Sequence, residues 1–226
     1  RMKTPKQTRE VGGKVILDLC AGSGAWSKPY ADAGYEVIPV TLPECDVTHT
    51  QFYPEFMDIG KYTNDTKTEG SFRTVWYKNV YGILAAPPCT MFSLARTRAK
   101  KPRDLKEGME TVIACLNIVW AVRVHNKLAF WALENPMGLL RQFLGKAPYM
   151  FDPSDFGERY TKKTELWGYF NFPVKKPIVL TEQEKALMAT NSRHLPSITD
   201  ITGSKQAAKR AITPAGFAQA FFKANQ

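Results

Sequence analysis

The order strand, glycine turn, helix, strand over residues 14–40 constrains this chain more than any other feature. Residues 14–19 (KVILDL) are a compact apolar run of strand length, and residues 20–24 (CAGSG) follow as a glycine turn. A helical segment is predicted from there through Ala33, where Gly34 ends it and residues 35–40 (YEVIPV) supply a second strand. Two strands joined through a helix must lie parallel, and parallel sheets need helices on their faces to bury them.

The rest of the chain extends the same pattern. Residues 81–86 (YGILAA) read as a buried strand running into Pro87, Pro88 and Cys89. Asp104 and Glu107 form a capping-box pattern before a helix whose positions Val112, Leu116, Val119, Trp120 and the alkyl stem of Arg123 fall on one face. Residues 128–133 (LAFWAL) are the next strand, closing on Glu134, Asn135 and Pro136. Between 43 and 78 the chain is rich in Thr, Asp, Asn and aromatic residues, and its periodicity assigns no element. The alternation predicts an open, mostly parallel α/β sheet with helices on both faces. With 226 residues and no internal repeat, the chain is expected to be a basic flexible tail over 1–10 and one catalytic domain over 11–226.

Lys and Arg outnumber Asp and Glu by 31 to 21, for a formal net charge of +10, which points to a polyanionic partner. Arg96, Arg98, Lys100, Lys101 and Arg103 concentrate that excess just after Cys89 and read as a nucleic-acid-contacting loop, a solvated loop being the alternative. Cys20, Cys45, Cys89 and Cys115 form no CxxC pair and have no neighbouring His, so a metal site is not expected. No apolar stretch is long enough for a bilayer and no secretion signal is evident, so the expectation is a cytoplasmic protein with reduced thiols.

In an open α/β sheet, ligands bind at the carboxyl ends of the strands. Three unusual segments here each follow a strand: the glycine turn, Pro87-Pro88-Cys89, and Glu134-Asn135-Pro136. Two prolines stiffen the backbone before Cys89, which favours a presented thiol over a buried one. A thiol and a carboxyl facing one cleft suit a particular reaction, making carbon 5 of a pyrimidine nucleophilic. The thiolate adds to carbon 6 while the acid supplies a proton or hydrogen bond to N3, and electron density collects at carbon 5. Because those atoms are hidden in a duplex, the base must be flipped out or unpaired.

Together the segments resemble the cytosine-5 DNA methyltransferase family. Residues 18–24 (DLCAGSG) are similar to the family's cofactor turn, 87–93 (PPCTMFS) to its nucleophile motif, and 134–136 (ENP) to its ENV triplet. Residues 160–168 (YTKKTELWG) and 213–222 (TPAGFAQAFF) resemble segments of short phage-type and bacterial members. The resemblance implies a Rossmann-like methyltransferase fold, with Cys89 the nucleophile and Glu134 its acid partner. It also implies a base held by Pro87, Pro88, Ser93, Asn135 and Pro136. Lys162, Lys163 and Thr164 fall where larger members carry an Arg-containing base-positioning motif. Asp18, Cys20, Ala21, Gly22, Gly24 and Trp26 are placed near the cofactor, S-adenosylmethionine.

Two departures stand out. Only residues 168–210 are available where larger members insert a target-recognition domain, so low sequence specificity is expected. At the end of the second strand, where a ribose-binding carboxylate is usual, the chain has Thr41 and Leu42, with Glu44 and Asp46 only afterwards. Either Glu44 reaches the ribose and Asp46 the adenine amine, or the donor is methylenetetrahydrofolate and the product 5-hydroxymethylcytosine. A tRNA or mononucleotide cytosine-5 enzyme and a non-catalytic nucleic-acid-binding module are the other readings.

Overall fold

The computed structural model describes residues 14–60, 72–94, 96, 102–183 and 211–226. The tail over 1–10, Arg98, Lys100 and Lys101 lie outside the described residues. Nine strands are described: β1 (Val15–Leu19), β2 (Glu36–Val40), β3 (Thr50–Phe52), β4 (Phe56–Gly60), β5 (Phe72–Trp76), β6 (Val80–Ala85), β7 (Phe130–Pro136), β8 (Tyr149–Phe151) and β9 (Thr164–Tyr169). The described helices are α1 (Lys28–Asp32), α2 (Leu105–His125), α3 (Arg141–Leu144) and α4 (Ala215–Ala224).

The main sheet has six strands in the order β2-β1-β6-β7-β9-β8. β1 pairs parallel with both β2 and β6, and β6 parallel with β7, while β9 runs antiparallel to both its neighbours. The sheet is therefore mostly parallel, with β9 alone reversed. Strand alternation divides the core. Leu17, Ile83 and Leu133 pack with Val112, Cys115, Ile118, Val119 and Val122 of α2. Ile16, Leu84 and Ala132 pack on the opposite face with Tyr30 of α1 and Phe217 and Phe221 of α4. Burying Phe217 and Phe221 completely stabilises the docked α4 by roughly 3–6 kcal/mol. That approach needs Gly216, where an added Cβ would lie 1.9 Å from the Phe156 carbonyl oxygen.

Four sequence expectations need correction. The first helix does not run from the glycine turn to Ala33 but spans five residues only. Ser27, at its N-cap, gives its hydroxyl to Asp18 instead of capping the helix. Residues 43–78 contain a separate antiparallel sheet, β3-β4-β5, whose buried Met57, Ile59 and Val75 carry a short two-residue alternation. The buried face of α2 excludes Trp120, which is 68% exposed, and is completed by Cys115, Ile118 and Val122. Asp104 does cap α2, accepting from the Glu107 N–H at 3.0 Å. Finally, Glu134, Asn135 and Pro136 belong to β7, held there by pairing with Leu166, Glu165 and Thr164 of β9.

Candidate active site

The strand order reverses at β1, which has β2 on one side and β6 on the other. A cavity of about 1270 Å³ opens at this switch point, beyond the carboxyl ends of β1, β2, β6 and β7.

The glycine turn forms one wall. Cys20, Gly22 and Gly24 all have positive φ, of 58°, 55° and 69°. The backbone N–H of Cys20 donates to the Val40 carbonyl at 2.7 Å, and that of Gly22 to the Thr41 hydroxyl at 3.3 Å. Asp18 beneath the turn is buried, and its carboxylate accepts from the Ser27 hydroxyl at 2.5 Å. Burial pushes the Asp18 carboxyl up to about 6, against the Ser27 hydrogen bond that lowers it. Trp26 is buried at the same wall, and its indole Nε1 has no hydrogen-bond partner among the described residues. The Cys20 and Cys115 sulfurs lie 4.0 Å apart, and that contact, together with burial, pushes the Cys115 thiol up.

The opposite wall carries Cys89 and Glu134. Cys89 is half-buried, and its carbonyl accepts from the N–H groups of Phe92 and Ser93 at 3.0 and 2.8 Å, closing a tight turn. Asn135, fully buried, donates from Nδ2 to the Pro87 carbonyl at 2.9 Å and so ties β7 to the segment that carries Cys89. Glu134 points into the cavity, 3.8 Å from the ammonium of Lys162, with the two side chains only 13% and 12% exposed. Lys162 is seated by Asp152, whose Oδ1 accepts its backbone N–H at 2.7 Å. Burial raises the Asp152 carboxyl above its ordinary range, opposed by that hydrogen bond.

The cavity thus gathers Asp18, Cys20, Ala21, Gly22, Trp26, Thr41, Leu42 and Asp46 from the expected donor side. From the base side it gathers Pro87, Pro88, Cys89, Ser93, Glu134, Pro136, Lys162 and Lys163, with Arg96 on its wall. Other expected residues stand elsewhere. Gly24 and Glu44 do not line the cavity, and Glu44 is exposed to solvent. Asn135 and Thr164 are buried struts, the Thr164 hydroxyl donating to the Lys162 carbonyl at 2.7 Å. The Arg103 guanidinium donates to the Met91 and Ser93 carbonyls, so this group braces the Cys89 turn. Asp46 is partly engaged, its Oδ1 accepting from the Thr48 N–H at 2.8 Å and hydroxyl at 2.7 Å.

Sequence reasoning missed Glu107, Glu110 and Thr111, which line the cavity from α2, and Asp152. The three- and four-residue spacing of Glu110 and Thr111 from Glu107, which puts all three on one face of α2, was the available signal; for Asp152 no local signal existed. Among the described residues no group of His, Cys, Asp and Glu could hold a metal ion, and no helix is long and apolar enough to cross a membrane. No protein-family model and no curated protein matches the chain.

Proposed function

We propose that this chain transfers a one-carbon unit to carbon 5 of cytosine in DNA through a transient Cys89 adduct, with S-adenosylmethionine as donor. The observation that carries the reading is the convergence of Cys89, Glu134 and Lys162 on one cavity with the glycine turn at the sheet's switch point. That convergence also supports the Rossmann-like methyltransferase form of the fold which the motifs imply.

Cys89 attacks carbon 6 as the thiolate, while Glu134 delivers a proton to N3 and the ring becomes an enamine nucleophilic at carbon 5. Pro87 and Pro88 fix the approach of the thiol, and the buried Asn135 fixes Pro87. When bound, S-adenosylmethionine supplies an electrophilic methyl group. Its fit rests on the chemistry of the donor wall. Asp18, Asp46, Glu107 and Glu110 line the cavity, an acidic set suited to a sulfonium and ammonium and unfavourable to a polyanionic folate. The unpartnered Trp26 Nε1 offers a donor to a ligand acceptor. DNA suits the net charge of +10 and Arg96 at the cavity.

A second donor reading rests on one observation. Glu44 stands away from the cavity and Thr41 and Leu42 hold the end of β2, so the usual ribose contact is lacking there, as a methylenetetrahydrofolate enzyme would allow. DNA incubated with the protein and each donor, digested and analysed by nucleoside mass spectrometry, decides between them. The expected product is 5-methylcytosine with S-adenosylmethionine and none with Cys89→Ser. Formation of 5-hydroxymethylcytosine with the folate alone overturns the donor, and no product with either donor overturns the reaction.

A further inference from the structure

Lys162 occupies a position that a purely phosphate-binding lysine would not. Its neighbour Lys163 is exposed, as expected for a solvated charge, whereas Lys162 keeps only 12% of its side chain accessible and aims its ammonium at Glu134 Oε1 across 3.8 Å. The backbone of Lys162 is fixed at both polar groups, its N–H by Asp152 and its carbonyl by Thr164. Two opposite charges have thus been taken largely out of water and held together, which requires good geometry to be tolerated. The pair faces the same cavity as Cys89.

We propose that Lys162 is the proton reservoir for Glu134, so that the acid which protonates the pyrimidine is the Glu134–Lys162 pair and not the carboxyl alone. The inference rests on the reading of Cys89 as a nucleophile toward cytosine. In the forward step the Cys89 Sγ–C6 bond forms from the thiolate's electron pair, the C5=C6 π pair shifts to C4=C5, and the C4=N3 π pair moves onto N3. The Lys162 ammonium passes its proton to the Glu134 carboxylate as that carboxyl passes a proton to N3, so Glu134 ends as the carboxylate it began as and Lys162 becomes a neutral amine. In the reverse step the Sγ–C6 bond breaks with its pair returning to sulfur. The N3 proton then returns through Glu134 to Lys162, so charge and protons balance. Lysine can do this because an ammonium releases a proton, whereas a guanidinium in the same place supplies charge and hydrogen bonds but no proton.

Other groups share the cavity and must be separated from the pair in any pH profile. Cys89 and Arg96 face it from the segment after β6, Asp152 and Lys163 from the turns before β9, Asp18 from β1, Cys20 from the glycine turn and Cys45 from the segment after β2. Glu107 and Glu110 face it from α2, and Asp46 from the segment after β2. All are retained in a Lys162→Arg variant, so a difference between that variant and the unmodified protein belongs to the lysine.

The test needs no one-carbon donor. Reversible addition of Cys89 to C6 makes carbon 5 exchange its hydrogen with water, so tritium release from DNA carrying [5-³H]cytosine reads the proton-transfer step directly. Lys162→Arg is expected to slow release about tenfold at about pH 8. The deficit should narrow to within about threefold at about pH 5.5, where the higher proton concentration of the solvent supplies the proton in place of the lysine. Lys162→Ala should be slow as well and be restored by added methylammonium but not by guanidinium. Equal losses for Lys162→Arg at both pH values, or rescue of Lys162→Ala by guanidinium, assign the residue a purely electrostatic part and overturn the proposal. Failure of the unmodified protein to release tritium while it binds DNA overturns the covalent reading itself, a result distinct from either.

Discussion

Gly138→Ala tests how the nucleophile is held. Gly138 forms a bridge to Ser93, and a Cβ at 138 would stand 2.4 Å from the Phe92 carbonyl oxygen and 3.2 Å from its carbon. Ordinary contact begins near 3.4 Å, so the two backbones must separate by about 1 Å. Phe92 is completely buried and its carbonyl accepts the Leu139 N–H at 2.9 Å, so the movement either strains the Phe92 packing or breaks that bond. Overpacking of this kind costs about 1–3 kcal/mol, and an orphaned N–H about 1–3 more where the bond breaks, roughly 2–6 together. For a domain of this size that lowers Tm by about 4–24 °C. Because the Cys89 carbonyl is bonded to the Phe92 and Ser93 N–H groups, the same shift must reach the thiol. Urea denaturation measures the first effect, and the rate of iodoacetamide labelling at Cys89, mapped by peptide mass spectrometry under native conditions, measures the second. A variant within about 0.5 kcal/mol of the unmodified protein, with unchanged labelling of Cys89, refutes the close-contact argument.

Asn135→Asp is isosteric but replaces the Nδ2 donor with an acceptor opposite the Pro87 carbonyl at a fully buried site; it should destabilise by about 3–5 kcal/mol and alter Cys89 labelling, as denaturation and mass mapping would report. Asp18 carries a folded-state value of about 6 against an ordinary 3.8, so the folded chain binds its proton more tightly and stability falls as pH rises between those values. Asp18→Asn should therefore be more stable than the unmodified protein at about pH 7.5, with the gain vanishing below about pH 4, in denaturation curves across pH.

The fold was legible where periodicity was strong and local. The apolar runs expected at 14–19, 35–40 and 81–86 become strands at 15–19, 36–40 and 80–85, within a residue at each end, because β1 and β6 are interior strands of a parallel sheet marked by continuous apolar sequence and β2 pairs alongside β1 at the edge. The first helix was misjudged because its N-cap serine is recruited by Asp18, a contact that pattern reading cannot anticipate. The β3-β4-β5 sheet escaped because its strands are three to five residues long and separated by polar segments, so the alternation never accumulates. At the site, the strand-end motifs located Cys89 and Glu134 in one cavity. Asp152 and the acidic residues of α2 enter it from elements distant in sequence. Glu44 failed for the opposite reason, being close in sequence to the required place but turned to solvent.

Cys89 and Glu134, the proposed nucleophile and acid, are held by different means, and the difference suits the proposed tasks. Glu134 lies inside a strand, its backbone paired with Leu166 of β9, so its position is set by the sheet. Cys89 lies beyond its strand on a turn that the sheet does not hold, and three contacts supply the missing support: Asn135 to Pro87, Arg103 to the Met91 and Ser93 carbonyls, and Leu139 to Phe92. The proposed chemistry, in which the thiol forms and breaks a covalent bond in each cycle, needs accurate placement without the rigidity of a strand, and two side-chain struts with one backbone hydrogen bond provide that. Two of the three contacts, Asn135 and Leu139, come from β7 and the segment after it, so displacement of the acid strand is transmitted to the nucleophile. Arg103 extends the coupling to the basic segment, since its guanidinium joins the start of α2 to the Cys89 turn. A displacement of Arg103 is therefore transmitted to the Cys89 turn through the Met91 and Ser93 carbonyls.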